Sequence, residues 1–364
     1  MTRKQVFTLL TAIVLIAGAI ALIELVVPQN GKDTGLASQS PAAIDELIPE
    51  MQGISSWLNS EPIKVSALRG KVVLVDFWTY SCVNCVRTLP YLKEWNSKYA
   101  SIGLITIGIH TPEFEFEKET ANVRDAAARY GVTWPIAQDN NFATWNAYGN
   151  RYWPHKYLAD TSGRLRYHHI GEGAYVETEE WIRKLLVEAG HDVSDIPVGR
   201  DDTKVPTSVT RELYAGQAWE SGRYIGNRPF NPGPTAIYVE PANLEDGSIY
   251  LSGRWKGTGE FIQAEPESQS ESKAIIQYHA ASVNVVLSSA QPLKVAVSVD
   301  GKPIPQSIAG RDIKYDGQGN TFLRVDESRM FNLVRGSSVE SHTLTLTTGI
   351  SGLNLYTFTF SSSA

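Results

Sequence analysis

Cysteine is nearly absent from this chain: there are two among 364 residues, Cys82 and Cys85. A pair three positions apart closes only a tiny loop, so it cannot staple a chain of this length, and its stability rests on apolar cores. Metal-ligand spacing is also missing. Tetrahedral zinc on one Cys-x-x-Cys needs two more ligands, and the seven histidines (His110, His155, His168, His169, His191, His279, His342) show no His-x3–5-His pattern. No metal and no cofactor is therefore expected. There is no basic excess either: 33 Lys and Arg stand against 39 Asp and Glu, with no basic stripe, which argues against nucleic acid as a partner. Long hydrophobic runs are lacking everywhere but at the N-terminus.

That one run begins after Arg3 and Lys4 and holds no charge from residue 7 to residue 23. A basic start followed by an apolar stretch is the pattern of export. At about 17 residues the run lies near the lower limit for a membrane span, and no small-x-small cleavage site directly follows it. The expectation is a single-pass anchor over residues 1–27 with the basic end inside and the body on the extracytoplasmic, periplasmic side. A cleaved signal peptide is the alternative, and it leaves the body on the same side. Residues 28–52, rich in Ser, Gln, Gly, Pro and Asp, read as a tether.

The remainder divides by pattern. In residues 53–190 strand and helix signals alternate. Residues 72–78, VVLVDFW, are apolar on both faces except for Asp76, as expected of a central parallel strand. Residues 57–68 read as a short extended segment before it. Helical spacing follows over 82–99, with Leu89, Leu92, Trp95 and Tyr99 on one face and Pro90 inside. Strand 103–109, helix 116–130 stopped by Gly131, strand 133–138, helix 141–148, a hairpin of 157–160 and 164–170, and a closing helix 177–190 come next. This order predicts an α/β domain with parallel pairing and a late antiparallel edge. Residues 191–211, dominated by Asp, Pro, Gly, Thr and Ser, read as a linker. From 212 to 364 helix signals vanish. Short strands at 248–255, 274–278, 283–288, 293–299, 321–325, 344–347 and 353–360 predict an all-β sandwich, jelly-roll-like.

The chemistry concentrates at Cys82-Val83-Asn84-Cys85, where a strand delivers two thiols to the first turn of a helix. Unpaired N–H groups and the helix dipole favour a thiolate there, so Cys82 is the expected nucleophile and Cys85, less exposed, the resolving thiol. Asp76, a carboxyl in an apolar strand close to the dithiol, is expected to have a raised pKa and to accept the Cys85 proton. Glu113 reads as a solvated loop carboxylate, with lining of the site as the alternative, and His110 and His155 as structural or exposed residues.

The stretch VDFWTYSCVNC resembles the active-site segment of the thioredoxin superfamily, over roughly residues 53–190. The resemblance gives Asp76 the place of the buried acid, Trp78 that of the family tryptophan and Pro90 that of the helix-kinking proline. It makes Trp153-Pro154 the cis-proline loop that faces the dithiol and contacts a partner's backbone. The insert 110–133 resembles the TlpA-like branch. FWTYSCVNC, IGIHTPEFEFEKE, YWPHKYL and GEGAY together resemble the C-terminal periplasmic region of DipZ-type proteins, where a carbohydrate-binding-module-like β-domain follows. The departures are Val83-Asn84 between the sulfurs, Ser81 in place of the usual tryptophan, and Thr88 where cytochrome c-maturation reductases often carry Glu.

The resemblance implies a membrane-tethered thiol–disulfide oxidoreductase acting as a reductant on protein disulfides. With at most one span, the chain would draw electrons from a separate membrane donor of the DsbD/CcdA type. Two other functions stay open. Thr79-x-x-Cys82 echoes peroxiredoxins, although Val75 stands where their proline would be. The second half is alternatively a glycan- or protein-binding module using Trp219, Tyr224, Phe230, Trp255 and Phe261 as a platform, although such residues more often form core.

Overall fold

The computed structural model describes residues 46–200, 208–217 and 222–363. The expected anchor, most of the first linker, residues 201–207 of the second, and Trp219 lie outside them. Every described residue falls in one compact unit, Ala43–Ala364. Among the described residues no helix is long and apolar enough to cross a membrane.

The first half is built on a six-stranded sheet. Its elements are β1 (Ser56–Leu58), β2 (Val72–Trp78), α1 (Val83–Tyr99), β3 (Leu104–His110), α2 (Thr120–Tyr130), β4 (Ile136–Gln138), α3 (Ala143–Ala147), β5 (His155–Ala159), β6 (Leu165–Ile170) and α4 (Tyr175–Glu188). The sheet order is β1-β4-β3-β2-β5-β6. β2, β3 and β4 run parallel, and β5, β6 and β1 are antiparallel to their neighbours. β2 is buried along its whole length. Strand periodicity sends its alternate residues to two cores. Val72, Leu74 and Trp78 join the core with α1, α2 and α4, while Val73, Val75 and Phe77 join a second core around Trp145 and Tyr157. Asp76 shares the parity of Leu74 and Trp78, so its carboxyl lies on the face covered by α1. Gly108 of β3 pairs with Asp76, and a Cβ there would come within 2.8 Å of the Trp78 indole nitrogen.

Two expectations in this half are corrected. Residues 57–68 are not one extended segment: the strand ends at Leu58, and Val65–Leu68 form a 3-10 turn whose N–H groups the Glu50 carboxylate accepts at 2.7–2.8 Å. The helix expected from residue 116 begins at Thr120, after a separate 3-10 turn, Glu115–Lys118.

The second half is β-rich: β7 (Leu213–Tyr214), β8 (Thr235–Tyr238), β9 (Ile249–Gly257), β10 (Ile262–Ala264), β11 (Ser272–Ser288), β12 (Leu293–Val299), β13 (Lys302–Pro303), β14 (Lys314–Tyr315), β15 (Thr321–Val325), β16 (Arg329–Thr348) and β17 (Asn354–Ser361). They form one connected 11-stranded hydrogen-bonded network. The separate strands expected at 274–278 and 283–288 are one strand, β11. It runs through the small residues Ala280, Ala281 and Ser282 with a register shift against β16. β16 is likewise longer than the short strand expected at 344–347. In both cases a bulge bends the strand without ending it, and the sequence shows it only as a break in apolar alternation.

Candidate active site

The chain leaves β2 through Thr79-Tyr80-Ser81 and enters α1 with Cys82 as its N-cap. Cys82 Sγ accepts the N–H of Cys85 at 3.3 Å, so the first thiol occupies the position that caps the helix. Both cysteines are free thiols; Cys82 is partly exposed and Cys85 fully buried. Burial, together with the adjoining Cys82 sulfur, pushes the Cys85 thiol well above its ordinary range. Beneath Cys85, the Thr88 hydroxyl donates to the Cys85 carbonyl at 2.8 Å. Thr88 is fully buried, so the position that departs from the family's Glu is a packed helix contact.

Asp76 is buried, with its Oδ1 lacking a hydrogen-bond partner. Desolvation raises its pKa to about 7, opposed by the charge of Lys156. Lys156 lies directly across the β2–β5 ladder from Asp76 and is itself buried. Burial lowers its pKa, while Asp76, Cys85 and Glu172 act in the opposite sense. Its Nζ donates to the Gly171 carbonyl at 3.4 Å. The even-numbered parity that points Leu158 to the α1 core sends Lys156 there as well. A carboxyl, an amine and a thiol therefore share one dry compartment under the exposed sulfur. The sequence reading missed Lys156. Its available signal was a lysine inside an apolar strand, two residues after Pro154.

The Trp153–Pro154 peptide is cis, as the resemblance implied, and Pro154 is buried. Trp153 donates through Nε1 to the Thr111 carbonyl at 3.1 Å and packs on Trp145. Trp78 is buried edge-on to His110. Pro90 lies within the 17-residue α1, on its exposed side. Asn84, between the cysteines, accepts from Arg87 Nη2 at 2.6 Å, and Arg87 also forms a two-point pair with Glu172. His110 and His155 are buried and held near 3 by desolvation, so both are neutral structural groups.

A second layer of the site centres on Glu117, which the sequence did not single out. Glu117 is fully buried and accepts the Ser81 hydroxyl at 2.6 Å through one oxygen, and the Glu113 and Phe114 N–H groups at 2.6 and 3.1 Å through the other. Ser81, where the family carries tryptophan, thus locks the approach to Cys82 onto the insert. Desolvation raises the Glu117 pKa, and the Ser81 hydroxyl restrains the rise. Glu113 is not the solvated carboxylate expected. The Tyr214 hydroxyl of the β-rich half donates to it at 2.6 Å, and burial, then Glu212 and Glu117, push its pKa up.

Further contacts join the two halves beside the dithiol. Tyr80 donates to the Ser328 carbonyl at 3.2 Å. Phe114 packs with Val286, Met330 and Tyr356, and Val83 and Val86 of α1 lie against this cluster. Of the residues considered as a glycan platform, the four that are described pack inward or toward the junction. Trp255 is buried in the β core, Tyr224 and Phe230 pack on that core, and Phe261 packs toward the junction. Among the described residues no group of His, Cys, Asp or Glu is arranged to hold a metal.

Known proteins match both halves. The family described as Redoxin matches residues 44–180, and the family described as Thioredoxin like C-terminal domain matches residues 210–361. Protein DipZ of Mycobacterium tuberculosis is 39% identical over 269 residues, covering 72% of this chain and 38% of DipZ. The chain thus spans well under half the length of that relative. The thiol-disulfide oxidoreductase YkuV of Bacillus subtilis is 30% identical over 141 residues, 39% of this chain and 95% of YkuV. The thiol-disulfide oxidoreductase ResA of Halalkalibacterium halodurans is 27% identical over 157 residues, 43% of this chain and 82% of ResA. With a capping thiol, a buried partner thiol and a cis-proline loop on this sheet, the chain belongs to the thioredoxin-like family of thiol–disulfide oxidoreductases.

Proposed function

We propose that the chain is a membrane-tethered, extracytoplasmic reductant of protein disulfides, working through Cys82 and Cys85. The observation that carries this reading is the asymmetry of the two thiols: one partly exposed at a helix N-cap, the other buried in a compartment with Asp76 and Lys156. The Cys82 thiolate attacks one sulfur of a substrate disulfide, and the other substrate sulfur leaves as a thiolate. Asp76, as carboxylate, takes the Cys85 proton, and Lys156 positions and partly balances that charge. The Cys85 thiolate then attacks Cys82 Sγ and the second substrate thiolate departs. Two electrons pass to the substrate and a Cys82–Cys85 disulfide remains. Trp78, Trp153 and Pro154 frame the approach, and Pro90 shapes α1.

The direction of exchange rests on Val83-Asn84, which place no positive charge between the sulfurs to stabilise the dithiol as a strong oxidant would. The tether and the compartment rest on residues 1–27 of the sequence. The body would be recharged by a separate membrane donor of the DsbD/CcdA type. We read the β-rich half as a jelly-roll-like sandwich that walls one side of the site, since its strands line one common core.

The test is Cys85→Ser in the full chain. It should accumulate a mixed disulfide through Cys82 with protein substrates and lose turnover, and the wild-type couple should have a reduction potential near that of thioredoxin. Rapid peroxide consumption that survives Cys85→Ser would overturn the reading in favour of a peroxidase.

A further inference from the structure

A cleft of about 540 Å³ runs between α1 and the β-rich half, starting at Val83 inside the dithiol loop. One wall is a single helical face, Val83, Val86, Arg87, Pro90 and Lys93, at spacings of three and four. Five cations line the cleft: Arg87, Lys93, Arg129, Arg311 and Arg335. None of its lining residues is Asp or Glu. Arg87 and Arg129 are paired, with Glu172 and Glu327, yet Arg87 Nη1 is buried without a partner. Lys93, Arg311 and Arg335 are exposed, and among the described residues no ion pair engages them. The polar floor is already satisfied. Asn332 donates to Asn284 Oδ1 at 2.9 Å and accepts the Arg311 N–H at 3.1 Å. What the cleft offers a ligand is therefore positive charge on a rigid floor. The chain as a whole carries −6, so this is local segregation of charge against the global sign.

We propose that this cleft receives an acidic stretch of polypeptide flanking the disulfide of the protein substrate. The inference rests on the reading of the dithiol given above and narrows its substrate class. Val83 to Lys93 spans about 15 Å at 1.5 Å per residue, the length of roughly four or five extended residues. A chain held by Cys82 at one end thus has a groove of matching length in which to lay its neighbouring residues. Rim ion pairs are individually weak, a few-fold each, and are screened by salt. Three free cations together give about a tenfold preference at low ionic strength.

The experiment uses the full chain and two synthetic peptide disulfides, identical except that five residues beside one cysteine are Asp/Glu in the first and Asn/Gln in the second. The acidic peptide should be reduced with about tenfold higher kcat/KM, through KM, and the preference should fade by about 0.5 M salt. Arg311→Glu combined with Arg335→Glu should abolish it while leaving reduction of the neutral hydroxyethyl disulfide unchanged. Anisotropy of a labelled, cysteine-free acidic peptide reads the cleft independently of redox turnover, and binding should be lost in the same variant. Loss of hydroxyethyl disulfide reduction in the wild type would strike the dithiol reading alone. Equal kinetics for the two peptides, a preference that survives charge reversal, or inorganic phosphate displacing the labelled peptide at equal charge concentration would overturn the proposal.

Discussion

The two halves of this protein bury different things. The β-rich half buries Leu251, Val285, Phe331, Leu346 and Phe358 in one apolar cluster. The thioredoxin-like half buries, beside its apolar residues, Asp76, His110, Glu117, His155, Lys156 and Glu179. Apolar burial contributes stability in proportion to area, whereas a buried ionisable group costs stability unless it is neutral or paired. The β-rich half is organised for packing and shape. Among the ionisable groups of the other half, Asp76, Glu117 and Lys156 have proton affinities displaced toward neutral pH, where proton transfer is useful.

The largest effect expected from breaking this contrast is chemical. Cys82→Ser should abolish disulfide turnover, and Cys85→Ser should stop it at the mixed disulfide; mass spectrometry after incubation with a protein disulfide separates the two. Next come opposite effects of removing a buried group from each half. Phe331→Ala should lose about 3–5 kcal/mol in urea unfolding, with little change in the intrinsic chemistry of the dithiol.

Asp76→Asn should behave in the opposite sense. The folded carboxyl titrates at about 7, above its ordinary value of 3.8. The folded state therefore binds more protons between those values, and stability falls as pH rises through that window, levelling off above it. At about 1.4 kcal/mol per unit the total approaches ~4 kcal/mol. Asp76→Asn should flatten this slope in unfolding measured from pH 4 to pH 8, and should slow resolution of the mixed disulfide. An unchanged slope would remove Asp76 from the proton pathway. Lys156→Met should push Asp76 higher still, shifting the pH profile of exchange upward, and an unshifted profile would separate the two groups.

The smallest effect expected is at the junction. Tyr80→Phe removes the hydroxyl donated to Ser328 and should cost about 1 kcal/mol, seen as faster hydrogen exchange where the two halves meet. Equal exchange would mean that the apolar contacts around Phe114 hold the junction by themselves.

The legible parts of the sequence were those with local causes. Cys82 at a helix start, the apolar run of β2 and the stop at Gly131 each follow from a few adjacent residues. Trp153-Pro154 was legible by resemblance. Lys156 was not, because a lysine in a strand normally turns to solvent, and only pairing of β5 beside β2 encloses it. Glu113 and Glu117 likewise sit in a charged segment, EFEFEKE, where Glu113 reads as a loop carboxylate and Glu117 as part of the polar start of a helix. Glu117 is buried and Glu113 half-buried because Ser81 and Tyr214, remote in sequence, close over them.

By itself the sequence determined the reactive pair, its helix and the alternation that places Asp76 on the same side of the sheet, since periodicity and capping act within a few residues. Only the tertiary structure decided which charges would be dry. Desolvation depends on everything packed around a group: the neighbouring strand for Lys156, the opposite half for Glu113, and the wall of β-structure that turns one face of α1 into a cationic cleft.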